Sequence, residues 1–183
     1  MRILLAFAPF IAFALIDRIV GPTEGLVAGT LVSVALLARD VLAPERTPKL
    51  LEIGTAILFG GLAAYALIAT PSWSVIGVRL CVDAGLLLIV VLSLVLRRPF
   101  TQQYARERVP RAYWDTPQFV RTNVVISSVW ALAFAAMVLA ELALLTVPTL
   151  SHTVGIAVIV AALAGAVKFT AWYPERVRRG RGA

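Results

Sequence analysis

Read from its start, the chain alternates long apolar runs with short polar breaks. Apolar residues fill positions 3–20, 25–43, 50–70, 75–96, 120–145 and 150–172. The breaks read GPTEG, APERTPK, TPSWS, a long arginine-rich stretch, and TVPTLSH. Each run is close to the roughly 20 residues that a helix needs to cross the hydrocarbon core of a bilayer. Inside lipid the backbone has no water to bond, so each run is predicted to be helical. Runs such as GLLLIVVLSLVL lack the period-two alternation of about ten residues that a membrane β-barrel requires. The pattern predicts an all-α polytopic membrane protein: one domain over residues 1–183, a bundle of six transmembrane helices.

Composition agrees. Hydrophobic residues make up 60% of the 183 and charged ones 15%, against roughly 45–50% and about 25% in an ordinary soluble domain. The opening MRILLAFAPFIAFALIDRIV has the look of a signal peptide. It lacks a small-x-small cleavage site, so it is read as a retained first span, with Pro9 expected to kink it. The net charge of +7 could suggest nucleic acid, but the placement of the charges matters more. With six spans, fifteen of the 17 basic residues fall on the side shared by both termini and the second and fourth loops; only Arg18 and Arg79 fall on the other. By the positive-inside rule that side is the cytoplasm, with both termini there. The single cysteine, Cys81, makes no internal disulfide, and no Cys/His spacing suggests zinc. No cofactor or metal is expected.

The stretch RRPFTQQYARERVPRAYWDTPQFVR, residues 97–121, holds six of the arginines and is expected to be the main cytoplasmic loop. Arg97 and Arg98 end the fourth span. Phe100, Tyr104, Tyr113, Trp114 and Phe119 are expected at the membrane interface, where amphipathic rings are favoured. Arg106, Arg108 and Arg111 are expected to meet anionic lipid headgroups, at about 1 kcal/mol each. Arg97, Arg98, Arg106, Arg108, Arg111 and Trp114 therefore form a candidate lipid or partner loop. Its role is either to anchor two helices or to dock a cytoplasmic partner; nucleic acid is not expected. Asp115 or Thr116, followed by Pro117, reads as a helix start.

Charges inside spans cost about 2.5–3.5 kcal/mol each at the bilayer centre on insertion scales, and they mark where function is sought. Asp17 and Arg18 end span 1, Glu24 opens span 2, Arg79 and Asp83 lie in the first turns of span 4, Glu141 nears the end of span 5, and His152 opens span 6. The predicted topology brings all of these to the outer side. Arg79 and Asp83, four apart, are expected to face one way and to pair. The candidate polar or ion site is Asp17, Arg18, Arg79, Asp83 and Glu141. Either these groups tie the bundle together as ion pairs, or they line an outward-open pocket for a proton, an ion or a small polar solute.

Asn123, Ser127, Trp130, Phe134, Met137 and Glu141 recur at spacings of three and four, so they share one helix face that should point inward. Gly21, Gly25, Gly29 and Ser33 recur every fourth residue, as do Gly77, Cys81 and Gly85. Small residues at that spacing let helices approach closely, in the chain or in a homo-oligomer through Gly21, Gly25 and Gly29. No HExxH, GxSxG, phosphate-binding lysine loop, CxxC or intramembrane histidine pair occurs, so no catalytic residue is assigned.

Several of these stretches resemble the bacterial inner-membrane intracellular septation protein A family. LLAFAPFIAFALIDRI is similar to its opening span, RRPFTQQYARERVPRAYW to its basic loop after span 4, VWALAF to its tryptophan–phenylalanine stretch, and WYPERVRR to its tail. The family tends to carry an asparagine where this chain has Glu141. The resemblance implies a six-helix inner-membrane protein linked to the cell envelope and division, with no catalytic residues. The expected function is a non-enzymatic envelope protein acting through lipid contacts or contacts with envelope or division proteins. The alternatives are a small transporter or channel using the outer polar group, and a lipid-modifying membrane enzyme.

Overall fold

The computed structural model describes residues 5–43, 47–147 and 149–179, and no strand occurs among them. The helices are α1 (Ala8–Ile19), α2 (Pro22–Leu42), α3 (Leu50–Ala69), α4 (Val75–Val95), α5 (Phe100–Arg106), α6 (Pro117–Thr146) and α7 (His152–Arg179), with a 3-10 turn at Arg111–Tyr113. Five of them, α2, α3, α4, α6 and α7, are long and apolar enough to cross a membrane. The side chains are distributed as lipid requires. Leu31, Ile57, Ile68, Leu132 and Val160 are exposed, while Asp40, Glu52, Asn123, Ser127 and Glu141 are buried. Water would favour the opposite arrangement. The chain is an all-α, multi-pass membrane protein.

The first predicted span is shorter than expected. The 12 residues of α1 rise about 18 Å, against a hydrocarbon core of about 30 Å; residues 1–4 lie outside the described region. Pro9 does not kink a longer helix. It sits in the first turn of α1, where its missing N–H costs no helical bond.

Contacts divide the chain into two compact units, residues 1–89 and 90–183, with the boundary inside α4. In the first unit α2 packs against both α1 and α3. The core gathers Phe13, Leu26, Phe59, Ala63, Ala66, Val78 and Val82. Phe59 is its centre, edge-on to Phe10 at 5.0 Å and tilted to Phe13 at 5.8 Å. The small-residue face of α2 makes this approach possible. A Cβ on Gly25 would lie 3.0 Å from Asp17 Cβ and from the Phe13 carbonyl, and one on Gly29 would lie 2.6 Å from the Phe59 ring. Gly25 and Gly29 are thus taken up by α1 and α3 of the same chain. The face expected to serve a second copy is filled from within at these two positions. On α4, Gly85 meets Leu58, whereas Cys81 is exposed.

In the second unit α6 pairs with α7 and with the short α5. The predicted stripe of α6 is buried in full, from Asn123 to Glu141. Trp130 donates its indole N–H to Thr170 Oγ1 on α7 at 2.9 Å, and Leu144 fills the space over Gly155. The helix starts where the sequence predicts. Thr116 is the N-cap, its Oγ1 accepting from Phe119 N–H at 3.4 Å, and Pro117 occupies the first turn. Phe100 and Tyr104, expected at the membrane interface, are 0% and 5% exposed, on the face of α5 that is buried against the protein. Helix α7 runs through Pro174 to Arg179, so the basic residues Arg176, Arg178 and Arg179 are helical.

Candidate functional site

The charges set in the apolar helices form two networks in the first unit. At the end of α1, Asp17 is buried by the close approach of α2 at Gly25. Its Oδ2 accepts from Arg79 Nε at 2.9 Å and from Arg79 Nη2 at 2.5 Å. Arg79 therefore pairs across 62 positions of sequence and not with Asp83, four residues along its own helix. A tertiary carboxylate that has already lost its water has more to gain from the guanidinium than a half-buried neighbour on the same helix. Among the described residues Asp17 Oδ1 is buried and accepts no hydrogen bond.

Arg18 and Glu24 are exposed, and Asp83 is half-buried on α4. His152 opens α7 in an exposed position. Glu141 belongs to the second unit, 3% exposed on the inward face of α6. Of this group, Asp17 and Arg79 are brought together within the first unit.

The second network was not anticipated. Asp40 near the end of α2, Lys49 just before α3 and Glu52 in its first turn are all buried. Lys49 Nζ lies 2.5 Å from Asp40 Oδ2 and 3.5 Å from Glu52 Oε1. Arg39 Nε donates to Asp40 Oδ1 at 2.9 Å. Among the described residues, Lys49 and Arg39 face Asp40 and Glu52, and these ion pairs close the connection between α2 and α3. The signal for them lay in the placement of opposite charges at the facing ends of two successive apolar runs.

On the arginine-rich segment the structure builds a shaped surface. Helix α4 ends in a Schellman motif: Arg98 N–H bonds the Ser93 carbonyl at 2.9 Å and Arg97 N–H bonds that of Leu94 at 3.0 Å, with Arg97 left-handed at φ 55°. Ser93 Oγ then accepts from Phe100 N–H at 3.2 Å, which starts α5. Thr101 Oγ1 bonds the Asn123 carbonyl at 3.0 Å and lies 2.9 Å from Ser127 Oγ, fastening α5 to α6. Beyond it, Trp114 donates its indole N–H to the Val109 carbonyl at 2.8 Å. The guanidinium carbons of Arg106 and Arg111 lie 5.2 and 5.6 Å from the Trp114 ring centroid, within cation–π range. Arg97, Arg98, Arg108 and Arg111 are exposed. The segment is thus a cationic platform held by buried side chains, in contrast to a loose loop.

Among the described residues no group of three or more His, Cys, Asp or Glu is placed to hold a metal ion. No protein-family model matches the chain, and no curated protein or solved structure matches it either.

Proposed function

We propose that the chain is a six-span protein of the bacterial inner membrane with both termini in the cytoplasm. In this reading it is a non-enzymatic envelope protein similar to the septation protein A family, which works through lipid headgroups and partner proteins held on its basic segment. The carrying observation is the platform between α4 and α6, where buried Phe100, Thr101, Gln102 and Tyr104 hold exposed arginines at a fixed place. It joins the ends of two apolar helices, so it lies beside the bilayer if both cross. The sixth span is residues 3–20, which keep the basic residues on one side. The two charge networks support a structural role for the intramembrane acids, since Asp17 and Asp40 are each bound by arginine or lysine. The test is capture of lipid and protein from membranes by the full chain with Arg106, Arg108 and Arg111 changed to glutamine. Reduced capture is expected, and unchanged capture rejects the proposal.

A small transporter is the second reading, favoured by the unbonded Oδ1 of buried Asp17 and by half-buried Asp83. It requires that Asp83→Asn and Glu141→Gln fold normally yet lose pH-dependent uptake in vesicles.

A further inference from the structure

We propose that Arg106, Arg111 and Trp114 form a discrete binding site for the phosphate group of an anionic phospholipid, set within the platform on which the proposed function rests. Trp114 is fixed first: its indole N–H is committed to the Val109 carbonyl at 2.8 Å, and it is half-buried. Two guanidinium groups then share its ring, at 5.2 and 5.6 Å. Like charges gathered on one ring repel each other, and a nearby anion relieves that repulsion. Among the described residues no carboxylate forms an ion pair with either arginine, and the buried Nε of Arg106 has no acceptor. A guanidinium lying on an aromatic ring keeps donors along its own edge, in a fork that matches the oxygens of a phosphate. The site is thus a pair of pre-positioned guanidinium forks beside one ring.

The source of the anion follows from the surroundings. The segment starts after Val95 and Leu96, both exposed apolar residues at the end of the membrane-length helix α4, and it leads into α6, a second one. Trp114 is the side chain type that settles at headgroup depth. A lipid phosphate is held at that depth by its acyl chains, so the site meets it at high local concentration.

Charge alone would make any pair of arginines on this segment equivalent, at about fivefold in affinity for each basic residue near an anionic surface. Charge-conserving substitutions separate a site from that background. The full chain is placed in nanodiscs of phosphatidylcholine with titrated phosphatidylglycerol, and retained lipid is measured by native mass spectrometry. Arg106→Lys with Arg111→Lys is expected to weaken phosphatidylglycerol retention by about tenfold, because lysine keeps the charge but not the fork. Arg97→Lys with Arg98→Lys is expected to change it by less than about twofold. Trp114→Leu is expected to match the first pair, and millimolar inorganic phosphate should not displace the lipid. Equal effects of the two lysine pairs would overturn the site while leaving the platform reading intact. Displacement by inorganic phosphate would overturn the lipid assignment. Unchanged retention with all six arginines of residues 97–121 as glutamine would instead reject the platform reading itself.

Discussion

Replacing Lys49 with methionine gives a sharp test of how the first unit is held together. Lys49 is 4% exposed and lies between two buried acids, 2.5 Å from Asp40 and 3.5 Å from Glu52. Removing one partner of a buried ion pair strands the other charge and costs about 3–5 kcal/mol. Arg39 still bonds Asp40 after the change, but its side chain is 41% exposed, and that exposure weakens the compensation. The expected loss for Lys49→Met is therefore about 3 kcal/mol. A chain of this size shifts its melting temperature by about 2–4 °C per kcal/mol, giving a drop of about 6–12 °C. The assay is thermal unfolding of the full chain in detergent, followed by circular dichroism. The combined variant Asp40→Asn, Lys49→Met, Glu52→Gln leaves no buried charge unpaired, only the 41% exposed Arg39 without its acid, and should melt within about 1 kcal/mol of the parent. If Lys49→Met melts within about 2 °C of the parent, or if the triple variant is as unstable as the single one, the cluster does not close the α2–α3 connection as described.

Three further outcomes are expected. Gly29→Ala brings a methyl to within 2.6 Å of the Phe59 ring and should cost about 1–3 kcal/mol in the same melts, with Phe59→Leu in the same chain recovering part of the loss. Arg97→Gly relieves a left-handed residue at φ 55° and should stabilise the chain by about 1 kcal/mol, since this exposed side chain makes no ion pair among the described residues. Trp130→Phe loses the bond to Thr170 Oγ1 and should cost about 0.5–1.5 kcal/mol, with little added cost from Thr170→Val in the same chain.

The apolar helices were legible in the sequence because a backbone in lipid has no option but to bond itself, and run length then sets the boundaries. The inward face of α6 was legible for a related reason: Asn123, Ser127, Trp130, Phe134, Met137 and Glu141 share a side at helical spacing, and all are buried. Charge partners were not legible. Spacing made Asp83 the visible mate for Arg79, but the pair that forms joins residues 62 apart, and sequence spacing carries no trace of such a contact. Asp40, Lys49 and Glu52 did leave a signal, opposite charges at the facing ends of two successive apolar runs, but nothing in their spacing says that they are buried. In segment 97–121 the buried face of α5 is carried by Phe100 and Tyr104, aromatic residues of a type that also suits an interface. Those two lie four apart and mark the buried face of a short helix.

The orientation of the chain turns on which side of the membrane the arginine platform lies. Ala112 is exposed within it, and Cys81 can be replaced by serine to leave Ala112→Cys as the only thiol. A membrane-impermeant maleimide applied to sealed right-side-out and inside-out vesicles then reads its compartment. Labelling confined to inside-out vesicles is the predicted result. Labelling of right-side-out vesicles would put the platform outside the cell and contradict the account.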